Sequence, residues 1–173
     1  FSWDRINKRQ VAQGIRIEFA PAGMRLGTYR PFTKEHAYLD PNQQLNNCTY
    51  QLPSMFPTPE HGNVGYYVVG MGSDKPFSCL MLNAIPDLAF WGSSNGQFFP
   101  RWTYEKTEPR DGELDFESTT NAEVDDHGYR RVDNITGVIL KLYRDTIGDQ
   151  VTKDDIFYYV YGLLHDPAYR TKY

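Results

Sequence analysis

The sequence predicts an α+β protein: a mixed, largely antiparallel central sheet with an N-terminal helix and a C-terminal helical segment. Three observations carry this. Between Asn63 and Tyr104 short apolar runs recur at roughly ten-residue spacing, divided by Gly, Ser and Asp, as strands joined by turns are. From Asp133 onward the apolar residues change to helical spacing behind cap signals. With 40% hydrophobic and 15% aromatic residues, 173 residues can close a core without a disulfide or metal staple.

Taken in order, Ser2 to Gly14 reads as a helix that Ser2 can cap, with Trp3 and Ile6 at helical spacing and Gly14 as its stop. Ile15, Ile17 and Phe19 alternate with Arg16 and Glu18 as a short strand, broken by Pro21 and Gly23. In Tyr29-Arg-Pro-Phe32, Pro31 holds Arg30 extended, and Ala37 to Leu39 is a further short strand before the Asp40-Pro41 turn. The runs Asn63–Met71, Phe77–Leu82, Leu88–Trp91 and Gln97–Tyr104 are the main strand candidates, Pro100 placing the last at an edge or bulge. Glu105 to Asp126 has no periodicity and reads as a long surface loop or insertion. Asp133 or Asn134 can cap a helix over Ile135–Thr146, with Ile139, Leu140 and Tyr143 on one face and Gly148 at its end. Thr152 and Asp155 form a capping box ahead of Ile156, Tyr159, Val160, Leu163 and Leu164, and Asp166-Pro167 opens a last short helix.

Charge and cysteine content narrow the function. The formal net charge of -4 argues against a general nucleic-acid binder. Its distribution is uneven: residues 1–34 carry Arg5, Lys8, Arg9, Arg16, Arg25, Arg30 and Lys34 against Asp4 and Glu18, whereas 105–126 carry nine acids against Lys106 and Arg110. Such asymmetry suits a basic face for a polyanion with the acidic stretch turned elsewhere, and equally suits two solvated segments. Cys48 and Cys79 allow at most one bridge, and reduced, buried thiols are the expectation. No apolar run approaches the ~18 residues of a membrane-spanning helix. With no signal peptide and a start at Phe1, the chain reads as a fragment of a longer cytoplasmic protein.

Catalytic signatures are missing. Gly70-Met-Gly72-Ser-Asp-Lys75 has Asp74 where a phosphate loop needs glycine, and Lys75 where a dinucleotide motif needs its third glycine; a tight turn accounts for it. His36, His61, His127 and His165 are scattered without partners at metal-ligand spacing, so no metal site is expected. What remains are donor-rich turns between strands. Ser73 and Lys75 lie in one; Ser93, Ser94, Asn95 and Gln97 lie in another, with Arg101 just beyond. Ser, Asn, Gln and Arg carry the donors and acceptors that read base edges, and glycines let such loops approach a groove closely. Ordinary hydrophilic hairpin loops have the same composition.

Several motifs occur together in order: Trp3-Asp4, Tyr29-Arg-Pro-Phe32, Ala37-Tyr-Leu-Asp40, Leu52-Pro53, Phe56-Pro57, Val69-Gly-Met-Gly-Ser73, Lys75-Pro-Phe-Ser78, Ile85-Pro-Asp-Leu88, Phe98-Phe-Pro100 and the long closing stretch Val151–Arg170. Together they resemble the C-terminal specificity region of type ISP restriction–modification enzymes, nearly end to end and least over 105–126. The resemblance implies a bacterial, cytoplasmic parent chain with a nuclease, an ATP-dependent helicase-like motor and an adenine-N6 methyltransferase, using S-adenosylmethionine, ATP and Mg2+. It implies no cofactor and no catalysis within these residues. Their partners would be double-stranded DNA and the methyltransferase and motor of the same chain, with no membrane. A sheet-rich recognition domain over 1–104, an acidic loop or insertion over 105–132 and C-terminal helices over 133–173 follow as the expected organisation. Arg5, Lys8, Arg9, Arg30 and Lys34 are candidate phosphate contacts; Ser73, Lys75, Ser93, Ser94, Asn95, Gln97 and Arg101 are candidate base readers. On the same resemblance the helix over 153–165 serves core and interdomain packing, its Tyr158 and Tyr161 facing the methyltransferase. Two other readings stay open: a docking module between methyltransferase and motor, and a carbohydrate-binding domain using Trp91, Trp102 and the many Tyr. A free-standing nuclease would need a metal site.

Overall fold

A computed structural model describes residues 5–16, 18–39, 51–87, 90–92, 96–107 and 123–172 of the chain. The chain contacts divide it into two units, Phe1–Phe99 and Pro100–Tyr173. Helices and strands are mixed as the sequence predicts, but the strands form three small sheets among the described residues in place of one central sheet.

The first unit opens with α1 (Arg5–Ala12). Its Asn7 is buried and Gln10, one turn on, half-buried, so Lys8, Arg9, Val11 and Ala12 face outward. The strand expected over 15–19 does not form at its described positions; the alternation there has no neighbour to pair with. Instead β1 (Met24–Thr28) pairs antiparallel with β2 (Lys34–Tyr38), from Met24 opposite Tyr38 to Thr28 opposite Lys34. Gly27 and Thr28 also pair in parallel with β5 (Ile85–Pro86), giving the order β2-β1-β5. A short α2 (Leu52–Met55) delivers Met55 and Phe56 to a core shared with Leu39 and Ile85, with Ala37, Leu52 and Phe98 packed against it.

Arg25 belongs to this interior and not to the basic surface that its charge suggested. Only 7% exposed, it donates from Nε to the Phe56 carbonyl (2.9 Å), from Nη1 to the carbonyls of Ala22 (2.5 Å) and Met24 (2.9 Å), and from Nη2 to Pro57. A buried guanidinium is tolerated when its fixed fork of donors meets acceptors in this way.

The second sheet of this unit has the order β4-β3-β6, from β4 (Cys79–Leu82), β3 (Gly65–Val69) and β6 (Gly96–Pro100). β3 and β4 are antiparallel, Gly65 opposite Leu82 and Val68 opposite Cys79. Cys79 is buried in β4; Cys48 lies outside the described residues. Tyr67 packs on the fully buried Phe90, ring centroids 5.1 Å apart. Two glycines make the β3–β6 approach possible. A Cβ on Gly65 would meet the Phe98 ring and lie 2.6 Å from the Phe99 carbonyl oxygen; one on Gly96 would meet the Tyr67 ring and lie 2.5 Å from the Val68 carbonyl oxygen. Phe90 and Trp91 form a turn, where a strand over 88–91 was expected; residues 88 and 89 lie outside the described set.

In the second unit β7 (Trp102–Lys106) pairs antiparallel with β8 (Tyr129–Asp133), Trp102 opposite Asp133 and Lys106 opposite Tyr129. The expected strand over 97–104 is thus two strands broken after Pro100, at Arg101. The expected loop over 105–126 begins inside β7, and its residues 108–122 lie outside the described set. Helix α3 (Gly137–Ile147) is capped by Thr136, whose hydroxyl accepts from the Ile139 amide, and not by Asp133 or Asn134. Gly148 ends it at φ +136°, and the Arg144 side chain donates to the Val151 carbonyl (2.9 Å), folding the chain back into α4 (Lys153–Leu163). The Thr152–Asp155 capping box forms as the sequence predicts. The buried face of α4 starts from Ile156 and Phe157; Tyr159, expected there, is exposed and meets Tyr143 edge-on. Asp166 accepts from the amides of Ala168 and Tyr169 to start α5 (Pro167–Lys172).

Gly96→Ala overpacks the β3–β6 contact and is expected to destabilise the chain by about 1–3 kcal/mol, lowering the thermal midpoint by several degrees. Gly62→Ala, where nothing lies within 4 Å of the added carbon, is the control and should barely move it.

Candidate nucleic-acid interface

Three segments of the first unit meet around Gly92. The tip of the β1–β2 hairpin, residues 29–33, supplies Arg30, whose Nη1 donates to the Gly92 carbonyl (3.1 Å) and whose guanidinium lies 5.3 Å from the Tyr29 ring centroid. The turn after β3 supplies Lys75: its Cε would lie 3.4 Å from a Cβ on Gly92. Gly92 itself has φ +118° and follows the anchor Phe90, which meets Trp91 edge-on at 5.0 Å. The frame beneath is backbone. The Asp87 amide donates to the Thr28 carbonyl (3.0 Å) and the Phe90 amide to the Asp87 carbonyl (3.2 Å), so the loop end of the hairpin and the 90–92 turn are joined just beyond β5, the edge strand.

The hairpin tip is strained. Arg30 and Phe32, flanking Pro31, have φ +60° and +72°, a left-handed conformation that costs a bulky residue about 1–3 kcal/mol. Arg30 is therefore not extended before Pro31 as predicted. Its hydrogen bond to Gly92 and its seat over Tyr29 hold it in the turn. Lys34 is exposed opposite Thr28, at the mouth of the same hairpin.

The 70–75 segment is a tight turn. Gly72 has φ +80°, the Ser73 amide donates to Gly70 (3.3 Å) and the Ser73 hydroxyl accepts from the Lys75 amide (3.0 Å). Lys75 Nζ also pairs with Asp74 at 3.0 Å, both side chains well exposed, where an ion pair is weak and readily exchanged for another anion. Gln97 is exposed on β6. Ser93, Ser94 and Asn95 lie outside the described residues. Lys8 and Arg9 are exposed on α1, apart from the Gly92 cluster; of Arg5 only the backbone is described.

Arg101 is placed quite differently from a base reader. Its side chain is 8% exposed, and it donates to Asp133 and to Asp154 (2.7 Å). Lys153 joins at 3.2 Å from Asp133, tying β7, the end of β8 and the first turn of α4 together. Burial raises the Asp133 carboxyl, but the hydrogen bonds and charges of Arg101 and Lys153 outweigh it and hold the group below the usual carboxylate range. Trp102 is half-buried under Arg131, whose guanidinium lies 4.7 Å from its ring centroid, and its Nε1 donates to the Tyr104 hydroxyl (3.1 Å); Trp91 is also half-buried. The Trp102 ring is thus taken up by the cations beside it.

Among the described residues no cluster of His, Cys, Asp and Glu could hold a metal ion. None of their helices is long and apolar enough to cross a membrane. His61 is buried and shares a 2.6 Å hydrogen bond with Thr58. The arrangement is one of cations and small donors on braced turns, suited to anions and base edges.

Residues 1–173 match the Type ISP C-terminal specificity domain from end to end. The chain belongs to that family. No curated protein matches the sequence. Among solved structures, a DrdV–DNA complex superposes on 98% of this specificity domain with a TM-score of 0.72 at 27% identity. A nuclease-deletion mutant of the Type ISP restriction–modification enzyme LlaGI, in complex with a DNA substrate mimic, covers 99% with 0.63 at 28%. The ATP-dependent Type ISP restriction–modification enzyme LlaBIII bound to DNA covers 99% with 0.70 at 23%, a likeness of fold. The specificity domain spans 14%, 12% and 10% of those three chains respectively.

Sequence reasoning picked out Arg30 and Lys75 in this specificity domain but not their convergence on Gly92, and it passed over Phe32. A bulky residue directly after Arg-Pro in a five-residue hairpin loop was the available signal. For the ion-pair cluster, Arg101→Leu should cost about 1–2 kcal/mol by taking the guanidinium from Asp154 and leaving Asp133 with Lys153 alone. Because the folded Asp133 titrates lower than the unfolded group at 3.8, its contribution is present above about pH 4 and is lost as pH falls through the lowered value. Asp133→Asn should therefore flatten part of the acid limb of a stability-versus-pH curve; Asp155, lowered by its hydrogen bonds to Thr152, acts in the same direction.

Proposed function

We propose that this specificity domain is the DNA target-recognition module of a Type ISP restriction–modification enzyme: it binds a short asymmetric duplex sequence and presents it to the methyltransferase of its own chain. The observation that carries the reading is the meeting of Arg30 and Lys75 at Gly92, on turns braced by a sheet edge, in a chain of this family. Phosphate contacts position a protein on the duplex, while base-edge contacts specify the sequence. Arg30 and Lys34 at the hairpin tip, with Arg5, Lys8 and Arg9 on α1, serve the first role. Ser73, Lys75 and Gln97, with Ser93, Ser94 and Asn95, serve the second. Arg101 leaves this set, since its donors are engaged by Asp133 and Asp154.

On this reading the nuclease, motor and adenine methyltransferase activities, and their ATP, Mg2+ and S-adenosylmethionine, belong to the rest of the parent chain. The bacterial cytoplasm, where such an enzyme meets DNA, is its compartment. The domain contributes recognition and no catalytic group.

Binding isotherms of the parent enzyme on cognate and unrelated duplexes, taken across a salt series, test this. Lys8→Ala and Arg9→Ala should weaken binding about equally on all sequences, each reducing the log–log salt slope by about one. Ser94→Ala, Asn95→Ala and Gln97→Ala should leave the slope intact and relax the preference at particular base pairs by about 1–3 kcal/mol. Unchanged preference in all three loop variants would remove the 93–97 loop from the readout.

A further inference from the structure

Phe32 is 90% exposed, the most exposed aromatic side chain among the described residues. Other exposed rings lie against a neighbour: Phe19 stacks on Tyr38 at 5.3 Å, Phe99 on Tyr66 at 5.5 Å, and Tyr158 meets Phe157 at 5.5 Å. Phe32 also sits at φ +72°, a backbone conformation that a bulky residue avoids unless its surroundings impose it. Here they do. Pro31 fixes the preceding torsion, and Arg30, itself at φ +60°, is tied to the Gly92 carbonyl. The β1–β2 ladder closes on Thr28 and Lys34 immediately below. The hairpin thus holds a large apolar ring out in water, on a tip tied to Gly92, with a cation two residues away on either side. Burial of the ring within its own unit does not offset that strain, which points to a ligand that receives the ring.

We infer that Phe32 is a wedge that inserts at a base step of the bound duplex and stacks on the base it exposes. The inference rests on the target-recognition reading. Arg30 and Lys34 on either side are placed to hold the flanking phosphates while the ring enters. A flat apolar side chain between cations is the chemistry that partially unstacks a step and kinks the duplex, most readily at a pyrimidine–purine step. Such a contact makes sequence selectivity depend on how easily a step opens, at a position where no hydrogen bond is read.

The test uses the full-length parent enzyme and duplexes containing its methylated sequence, with 2-aminopurine walked through every position. Wild-type enzyme is expected to brighten the probe several-fold at one step away from the modified adenine. Phe32→Ala should return that step to the duplex baseline and weaken binding roughly tenfold. Brightening at the modified adenine should persist in Phe32→Ala, which shows that the variant is folded and engaged. Phe32→Trp should keep the step open, and its added indole fluorescence should be quenched by the stacked base. Brightening at no position other than the modified adenine, brightening that survives Phe32→Ala, or an unquenched indole would each overturn the wedge while leaving target recognition standing. Failure of the wild-type enzyme to bind any duplex would overturn both.

Discussion

The first unit depends on one buried side chain, Arg25. Its guanidinium reaches from β1 to the carbonyls of Phe56 and Pro57 just beyond α2, and back to Ala22 before the strand and Met24 at its start. The Phe56 and Pro57 carbonyls lie outside helix and strand, where no ladder supplies a donor, and a buried carbonyl without a donor is costly. One residue thereby fixes β1 against the Met55–Phe56 core and closes the polar accounts of two irregular segments. The β1–β2 hairpin is held near its open end by this contact and next to its tip by the parallel pairing of Gly27 and Thr28 to β5. A left-handed tip with Arg30 and Phe32 can persist only on such a support, because strain survives where the surroundings over-determine the backbone.

The same contact explains what the sequence conceals. β3, β4, α3 and α4 announce themselves through dense apolar runs, helical spacing and caps such as the Thr152–Asp155 box. β1, β5 and β8 do not, because their positions hold Arg25, Gly27, Thr28, Pro86, Arg130 and Arg131. An alternation rule looks for apolar residues facing inward; here an arginine faces inward and hydrogen-bonds carbonyls. Conversely, Ile15 and Phe19 alternate convincingly and make no strand at their described positions, since a strand exists only through its neighbour. Asp133 shows the competition directly. A helix cap by type, it is drawn instead to Arg101 and Lys153, and Thr136, three residues on, caps α3.

The candidate interface was legible residue by residue and opaque as an arrangement. Arg30 and Lys75 are 45 positions apart in sequence, and nothing local states that both approach Gly92. The charge count misled in a related way. Of the seven cations in residues 1–34, Arg25 is interior, so the basic surface there is smaller than its formal charge. Arg101, next to a polar loop, has the composition of a reader and the burial of a brace. Charge on a sequence is a sum; charge available to a ligand is what remains after the core and the ion pairs have taken their share.

Recognition by loops on a fixed frame makes a particular demand on the frame. Loops that read different sequences must change while the strands beneath them do not move. The contacts that fix this unit are therefore backbone pairings, glycine close approaches at Gly65 and Gly96, and side chain to carbonyl hydrogen bonds from Arg25 and Arg30. None of these depends on which side chains the chain presents at 93–95 and 97 or in the 71–75 turn; Gly96 itself belongs to the frame. The tie from Arg30 runs to the Gly92 carbonyl, a backbone group, so with Gly92 kept at its φ of +118° the hairpin tip keeps its place when the neighbouring sequence changes. Frame and exposed turns are in this way separable, and on the proposed reading specificity can be altered in the turns without reopening the fold.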